Sequence, residues 1–181
     1  RQIRECLNPN CLFRYPQSVA AAVQVEDCPS CKGMTKVEIE YETPEEFPQG
    51  LVVATSELDQ RGPHLDSDCH VLLDNLRSVL NVGSIFRTCD GVGASYVHLC
   101  GTTPTPAHPR FAKTALGTEH ALPWSYHTNG LRAVKQLQSK GMYIVGLELA
   151  RNSVSIFSDI KFDQSAVDKQ FLIVVGIPGV D

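Results

Sequence analysis

From residue 70 onward the chain alternates two hydrophobic patterns. Short apolar runs rich in branched residues are separated by longer stretches with helical spacing. Residues 70–73 (HVLL), 96–100 (YVHLC), 142–149 (MYIVGLEL) and 171–175 (FLIVV) are runs of the first kind, and each predicts a buried strand. Between the first two, the segment from Asn81 to Gly91 leads a face of Ile85, Phe86, Cys89 and Val92, which predicts a helix. Residues 109–116 predict a short helix, and residues 131–140 (LRAVKQLQSK) a clearer one closed by Gly141. Strands alternating with helices imply a parallel sheet and an α/β domain. Upstream, residues 51–54 (LVVA) predict a short strand, followed by a polar stretch with a turn at Gly62-Pro63. Residues 38–48 (EIEYETPEEFP) are acidic, contain two prolines and read as a linker. The expected organisation is a cysteine-bearing unit over residues 1–38, a linker and lead-in over 39–69, and the α/β domain over 70–181.

Composition narrows this picture without naming a function. A chain of 181 residues, 43% hydrophobic and 20% charged, suits one ordinary domain plus a small appendage. No apolar run approaches the roughly 18 residues needed to span a bilayer, so no membrane association is expected. The N-terminus opens on Arg1, Arg4 and Glu5 with no apolar core, so no secretory signal is expected either. These readings predict a cytoplasmic protein, or an organellar one in a plant. A net charge of −4 argues against a protein that coats nucleic acid non-specifically, but allows an enzyme with basic residues gathered at one cleft. Seven cysteines, an odd count, fit a reducing compartment better than a disulfide framework.

Four of those cysteines carry their own pattern. Cys6 and Cys11 are separated by four residues, sixteen more follow, and then come Cys28-Pro29-Ser30-Cys31. Two short pairs across a hairpin-sized gap let two turns face each other and offer four thiolates to a tetrahedral ion. A unit this small has little core of its own and gains stability from such a staple. The expected metal is Zn(II), in a structural role, because four sulfur ligands leave no open position for a substrate. The alternative is four free cysteines. A redox pair is disfavoured because no βαβ context surrounds it.

The densest chemistry lies between Val71 and Gly101. Asp74-Asn75 closes a strand and Asn81-Val82-Gly83 opens a helix, with Asn81 the expected cap accepting from the N–H of Ser84. Gly83 would let another chain or a substrate approach the first turn. Arg87 lies four residues later on the same exposed side, opposite the Ile85/Phe86/Cys89 face. A cation beside a helix N-terminus predicts an anion site suited to phosphate. The plainer reading is that Asn81 only caps, Gly83 only packs, and Arg87 pairs with Asp90 or Asp74. The glycines at 83, 91 and 93 are not a dinucleotide fingerprint, since Gly91 and Gly93 fall where the helix ends.

The run from Asp74 to Gly93 (DNLRSVLNVGSIFRTCDGVG) resembles motif 1 of the SpoU branch of the SPOUT methyltransferases. His108-Pro109, Lys113-Thr114-Ala115-Leu116-Gly117-Thr118-Glu119, Trp124, Gly146-Leu147-Glu148-Leu149 and residues 171–176 (FLIVVG) also resemble the family, so the likeness covers residues 70–181. It implies an α/β parallel-sheet SPOUT fold with a C-terminal trefoil knot, its knot region incomplete in this chain, preceded here by the zinc-ribbon-like unit. It also implies a homodimer that moves a methyl group from S-adenosylmethionine to a ribose 2′-hydroxyl of tRNA or rRNA. Carried over by motif position, Asn81 and Arg87 are the catalytic-site residues. Leu147 and Glu148 would meet the cofactor through backbone, as would Gly176 and Ile177. A free guanidinium is effectively never deprotonated, so Arg87 is expected to clamp the adjacent phosphate rather than act as a base. Motif 2 of the family runs G-N-E-x-x-G-V. Here it reads Gly176-Ile177-Pro178-Gly179-Val180-Asp181, two residues shorter and without the glutamate, and motif 3 does not follow. The alternative is therefore a non-catalytic RNA-binding or scaffold protein that retains the fold.

Overall fold

The computed structural model of the chain describes residues 2–17, 27–40, 69–148, 153–158 and 169–176. The first two stretches build a small antiparallel sheet from β1 (Gln2–Cys6), β2 (Arg14–Gln17) and β3 (Thr35–Glu40), in the order β2-β1-β3. Two tight turns that carry the cysteines leave this sheet at one end. β3 continues to Glu40, two residues into the stretch expected to be linker, because its backbone pairs with β1 as far as Gln2↔Glu40.

The second unit alternates strand and helix as the periodicity predicts. Its elements are β4 (Cys69–Asp74), α1 (Val79–Gly91), β5 (Tyr96–Cys100), α2 (Phe111–Ala115), α3 (Thr118–Ala121), β6 (Trp124–His127), α4 (Gly130–Ser139), β7 (Tyr143–Leu147) and β8 (Phe171–Gly176). The five strands pair in parallel in the order β6-β5-β4-β8-β7. β8, last in sequence, inserts between β4 and β7, so all five C-terminal ends point the same way. The expected strand at residues 51–54 and the expected knot beyond Gly176 lie outside the described residues. Among the described residues, no helix is long and apolar enough to cross a membrane.

Both faces of this sheet are covered, which is why its strands read as unbroken apolar runs rather than as alternating ones. Val71, Leu73, Val97 and Leu99 face α1 and α2, where Val82, Phe86, Cys89, Phe111 and Ala115 complete one core. Phe86 and Phe111 meet edge to face, with ring centroids 5.1 Å apart and planes at 88°. Both are fully buried, and burial of each ring contributes about 1.5–3 kcal/mol. Leu72, Cys100, Leu172 and Val174 face α4, against Ala133 and Val134. On that same face His70, His98 and His127 form a hydrogen-bonded line of imidazoles, with N···N distances of 3.1 Å on each side of His98.

The helix boundaries shift one functional expectation. Ser78, not Asn81, is the N-cap of α1: its hydroxyl accepts from the N–H of Asn81 at 3.3 Å. Two residues able to cap stand three apart, and the chain leaves β4 early enough for the first to be used. Asn81 therefore sits exposed in the first turn. α4 starts on a cap of the expected kind, Asn129 accepting from the N–H of Arg132 at 3.1 Å. Gly93 and Gly141 end their helices with positive φ, as predicted.

Candidate functional site

The C-terminal ends of β4, β8 and β7 lie side by side, and three of the cofactor-contacting residues expected from sequence are found there. Leu147 ends β7 and is paired with Val175, one residue before Gly176, which ends β8 opposite Asp74. Leu147 and Glu148 are exposed and Gly176 is half-buried. Ile177 lies outside the described residues. In open α/β sheets, the crevice beyond such strand ends is where ligands bind.

The corner after β4 is tightly specified. Asn75 adopts a left-handed conformation with φ of 55°. Its side-chain oxygen accepts from the N–H of Thr102 at 3.0 Å, and its amide donates to Asp74 Oδ1 at 2.9 Å. Thr103 ties the same corner down, donating to the carbonyl of Leu73 and accepting from the N–H of Leu76. Asp74 is buried and pairs with the fully buried Arg14 of β2, Nη1 to Oδ2 at 3.1 Å. Burial pushes the Asp74 carboxyl up, while Arg14 and Asn75 pull it back. Arg14 also donates from Nε to Glu38 of β3 at 2.6 Å. Neither pairing offered for Arg87, with Asp90 or with Asp74, forms: Asp74 belongs to the cysteine-bearing unit's arginine instead.

Arg87 stands elsewhere. It lies six residues past Asn81, about 9 Å farther along the α1 axis. One Nη of Arg87 donates to the carbonyl of Thr114 in α2, and the residue is otherwise exposed. Gly83, expected to admit a substrate or another chain, is buried against that same threonine. A Cβ built there would lie 2.6 Å from Thr114 Cβ and 2.8 Å from its carbonyl carbon. The glycine thus serves the packing of α2 on α1, and that packing presents the acceptor that holds Arg87.

At the same end of the small sheet as Arg14, Cys6, Cys11, Cys28 and Cys31 converge, with all four Sγ atoms within 4.8 Å of one another. Cys6 and Cys31 are 3.5 Å apart, and Cys11 and Cys28 are 3.8 Å apart. A disulfide needs about 2.05 Å. A tetrahedron with metal–sulfur bonds of about 2.3 Å has edges near 3.8 Å, so the donor set fits a four-coordinate metal. Burial pushes the Cys6 thiol up to about 12 and raises that of Cys28 too, whereas the Gly33 N–H pulls the exposed Cys31 down to about 7. Four thiolates this close require a cation to be stable together.

The structure also explains the unequal cysteine spacing. Asn8-Pro9-Asn10-Cys11-Leu12 and Cys28-Pro29-Ser30-Cys31-Lys32 make the same turn. Leu12 N donates to Asn8 O at 3.0 Å as Lys32 N does to Cys28 O at 2.8 Å, and Leu12 and Lys32 both take left-handed φ, 51° and 63°. Asn8 thus occupies the place of a first cysteine, and the fourth ligand comes from Cys6 at the end of β1. Asn8 still serves the cluster, donating from its backbone N–H to Cys6 Sγ at 3.4 Å and from its amide to Cys31 Sγ at 3.6 Å.

With this geometry in place, comparison with known proteins is decisive about family. The family model described as SpoU rRNA Methylase matches residues 68–177, more than half of the chain. The chain belongs to the SpoU rRNA methylase family. It is 30% identical over 76 residues to the 23S rRNA (guanosine-2′-O-)-methyltransferase RlmB of Pseudomonas putida, a match that covers 42% of this chain and 31% of that protein. The chain spans about a third of the length of the curated relatives it matches. The AdoMet-bound rRNA methyltransferase from Sinorhizobium meliloti superposes with a TM-score of 0.51 at 26% identity, over 61% of this chain and 40% of that one. The TrmH/SpoU tRNA modifying enzyme of A. aeolicus shares the fold, with a TM-score of 0.52 at 23% identity, over 64% of this chain and 55% of that one.

Sequence reading missed Arg14, Glu5 and Asn129, which join the two units. Glu5 accepts from Asn129 Nδ2 at 2.8 Å and from Arg132 Nε at 3.1 Å. Burial raises the Glu5 carboxyl, but Lys36 and Arg132 more than offset this and leave it below its ordinary value. Glu5 lies more than a hundred residues from Asn129 and Arg132, and Arg14 lies sixty from Asp74, so no local signal announces these pairs.

Proposed function

We propose that this chain carries the methyl-transfer core of an RNA ribose 2′-O-methyltransferase acting on tRNA or rRNA. The observation that carries the reading is the motif-bearing sheet of the SpoU family, with Leu147, Glu148 and Gly176 brought to neighbouring strand ends. Two relatives support the finer statement: one named for guanosine 2′-O-methylation, and one solved with AdoMet bound.

S-adenosylmethionine supplies a methyl group on a positively charged sulfur, so the protein's task is largely positioning. The backbone at Leu147, Glu148, Gly176 and Ile177 holds the cofactor. Asn81 and Arg87 face the RNA. Held by the Thr114 carbonyl, the guanidinium of Arg87 would clamp a backbone phosphate and stabilise charge developing on the 2′-oxygen while its bond to the methyl forms, the methyl–sulfur bond breaks to leave the neutral thioether, and the hydroxyl proton passes to water. A homodimer, the assembly that the family resemblance implies, belongs to the same reading. Residues 1–38 act as a zinc-ribbon-like unit, residues 39–69 lead from it, and residues 70–181 form the methyltransferase domain. Zn(II) is structural, on Cys6, Cys11, Cys28 and Cys31, and a cluster of thiolates suits a reducing cytoplasm.

The test is single-turnover methylation of an undermethylated RNA pool by the full-length protein, with cofactor affinity measured by calorimetry. Arg87→Ala is expected to slow transfer by roughly 10²- to 10³-fold, the usual loss for one transition-state charge stabiliser, with cofactor affinity unchanged. Full transfer by the variant refutes the assigned role. Absence of cofactor binding by the unaltered protein refutes the enzyme and favours the RNA-binding scaffold.

A further inference from the structure

The cysteine-cluster unit is not an independent arm. It is bolted to the strand ends assigned above to the cofactor, and the bolt is Arg14. We propose that Arg14 is a positioning residue for methyl transfer, setting the corner after β4 through Asp74 and so coupling the metal-binding unit to the cofactor end of the sheet. This rests on the functional reading above.

Arg14 is held from three sides. Its backbone N–H donates to the carbonyl of Thr128 between β6 and α4 at 2.9 Å, Nε binds Glu38 of its own unit, and Nη1 binds Asp74 of the other. A planar fork that bridges two carboxylates fixes their relative direction, which a lysine cannot do. Asp74 in turn is packed where any displacement is transmitted. A Cβ on Gly176 would lie 2.9 Å from Asp74 Cβ, and one on Gly130 would lie 2.7 Å from its carboxyl carbon. The end of β8 at Gly176 and the first residue of α4 therefore both lie against this one residue, Gly176 against its backbone and Cβ and Gly130 against its carboxylate.

The same route leads back to the metal ligands. Arg14 follows Cys11 by three residues, and the intervening Leu12 offers its carbonyl to Asn129 Nδ2 at 3.2 Å. Glu5, adjacent to Cys6, holds Asn129 and Arg132 at the start of α4. Among the described residues, these hydrogen bonds across the boundary come from positions within three residues of a cysteine ligand, so the geometry of the cluster fixes where Arg14 is presented.

The experiment compares the full-length metal-loaded protein with Arg14→Met, Asp74→Asn and the double variant. S-adenosylmethionine affinity, metal content and circular dichroism are measured at a temperature where every protein tested is folded. Arg14→Met is expected to weaken cofactor binding by roughly 10- to 100-fold, the range seen when an outer partner that orients a binding residue is lost, while metal content stays at the wild-type value. If Arg14 acts through Asp74, the double variant is no weaker than Arg14→Met, because one interaction is removed twice. The double variant also relieves the unpaired buried carboxylate, so it carries the test if Arg14→Met alone does not fold. Wild-type affinity in the double variant overturns the proposal, as do losses in the two single variants that simply multiply. Failure of the unaltered protein to bind the cofactor overturns the functional reading and the proposal with it, and the two failures are thereby distinguished.

Discussion

Gly83→Ala sets two ordinary rules against each other, and the structure decides between them. In the interior of α1, replacing glycine by alanine should stabilise the helix by about 1 kcal/mol through propensity alone. The new methyl, however, would stand 2.6 Å from Thr114 Cβ and 2.8 Å from the Thr114 carbonyl carbon, against an ordinary carbon contact of about 3.5–4.0 Å. A rotamer change cannot relieve this, because one of the two atoms is backbone. α2 would have to move by roughly 1 Å, and it is pinned. Thr114 Oγ1 shares its single hydroxyl proton between the carbonyls of Phe111 at 2.8 Å and Val79 at 3.2 Å, while Phe111 packs edge to face on Phe86. Overpacking of this kind costs about 1–3 kcal/mol. Displacing the Thr114 carbonyl from Arg87 removes about 1 kcal/mol more. After subtracting the propensity gain, the variant should be less stable by about 1–3 kcal/mol. With a urea slope near 2 kcal/mol/M, the unfolding midpoint falls by roughly 0.5–1.5 M at unchanged slope. A midpoint equal to or above that of the parent would refute the packing argument.

Two further outcomes are expected. Cys28→Ala should abolish stoichiometric metal and raise amide exchange across residues 2–17 and 27–40 while α1 and its core stay protected. Structural zinc sites of this type bind with about 10–16 kcal/mol, and elemental analysis with exchange mass spectrometry reads both effects. Full metal content in the variant would exclude the four-cysteine site. The second outcome concerns pH. Burial pushes His98 down to about 3, and burial lowers His70 and His127 as well. Below about pH 6.5 the unfolded chain takes up protons that the folded chain refuses, so stability held above that pH is lost as pH falls toward the folded value. For His98 alone the slope is about 1.4 kcal/mol per pH unit. Unfolding free energies of His98→Gln from urea titrations should fall less steeply below about pH 6, by up to about 1.4 kcal/mol per pH unit, and equal slopes would count against a neutral buried imidazole.

Much of the α/β unit was legible because its signals are local. The runs at 70–73, 96–100 and 171–175 became β4, β5 and β8 nearly residue for residue. β6 (Trp124–His127) went unseen: four residues with a serine and a histidine among them look polar, yet Ser125 and His98 satisfy each other across the sheet. Asn81 was read as the cap where Ser78 serves. Both residues suit the role, and the choice depends on where β4 releases the chain.

What the sequence by itself determined is whatever is encoded within a turn or two of the residue concerned. The strand and helix periods, the helix-ending glycines, the two cysteine turns and the motif between Asp74 and Gly93 are of this kind, because capping, side-chain alternation and ligand spacing all act over a few residues. Only the tertiary structure decided that β8 threads between β4 and β7, that Gly83 packs on Thr114, and that the cysteine-bearing unit clamps Asp74 through Arg14. Those arrangements join segments separated by 28 to 102 positions, the pairs being Leu147 with Val175 and Asp74 with Gly176 at the extremes. Contacts at that range come from the packing of whole surfaces once the sheet has closed, and no pattern along the chain announces them.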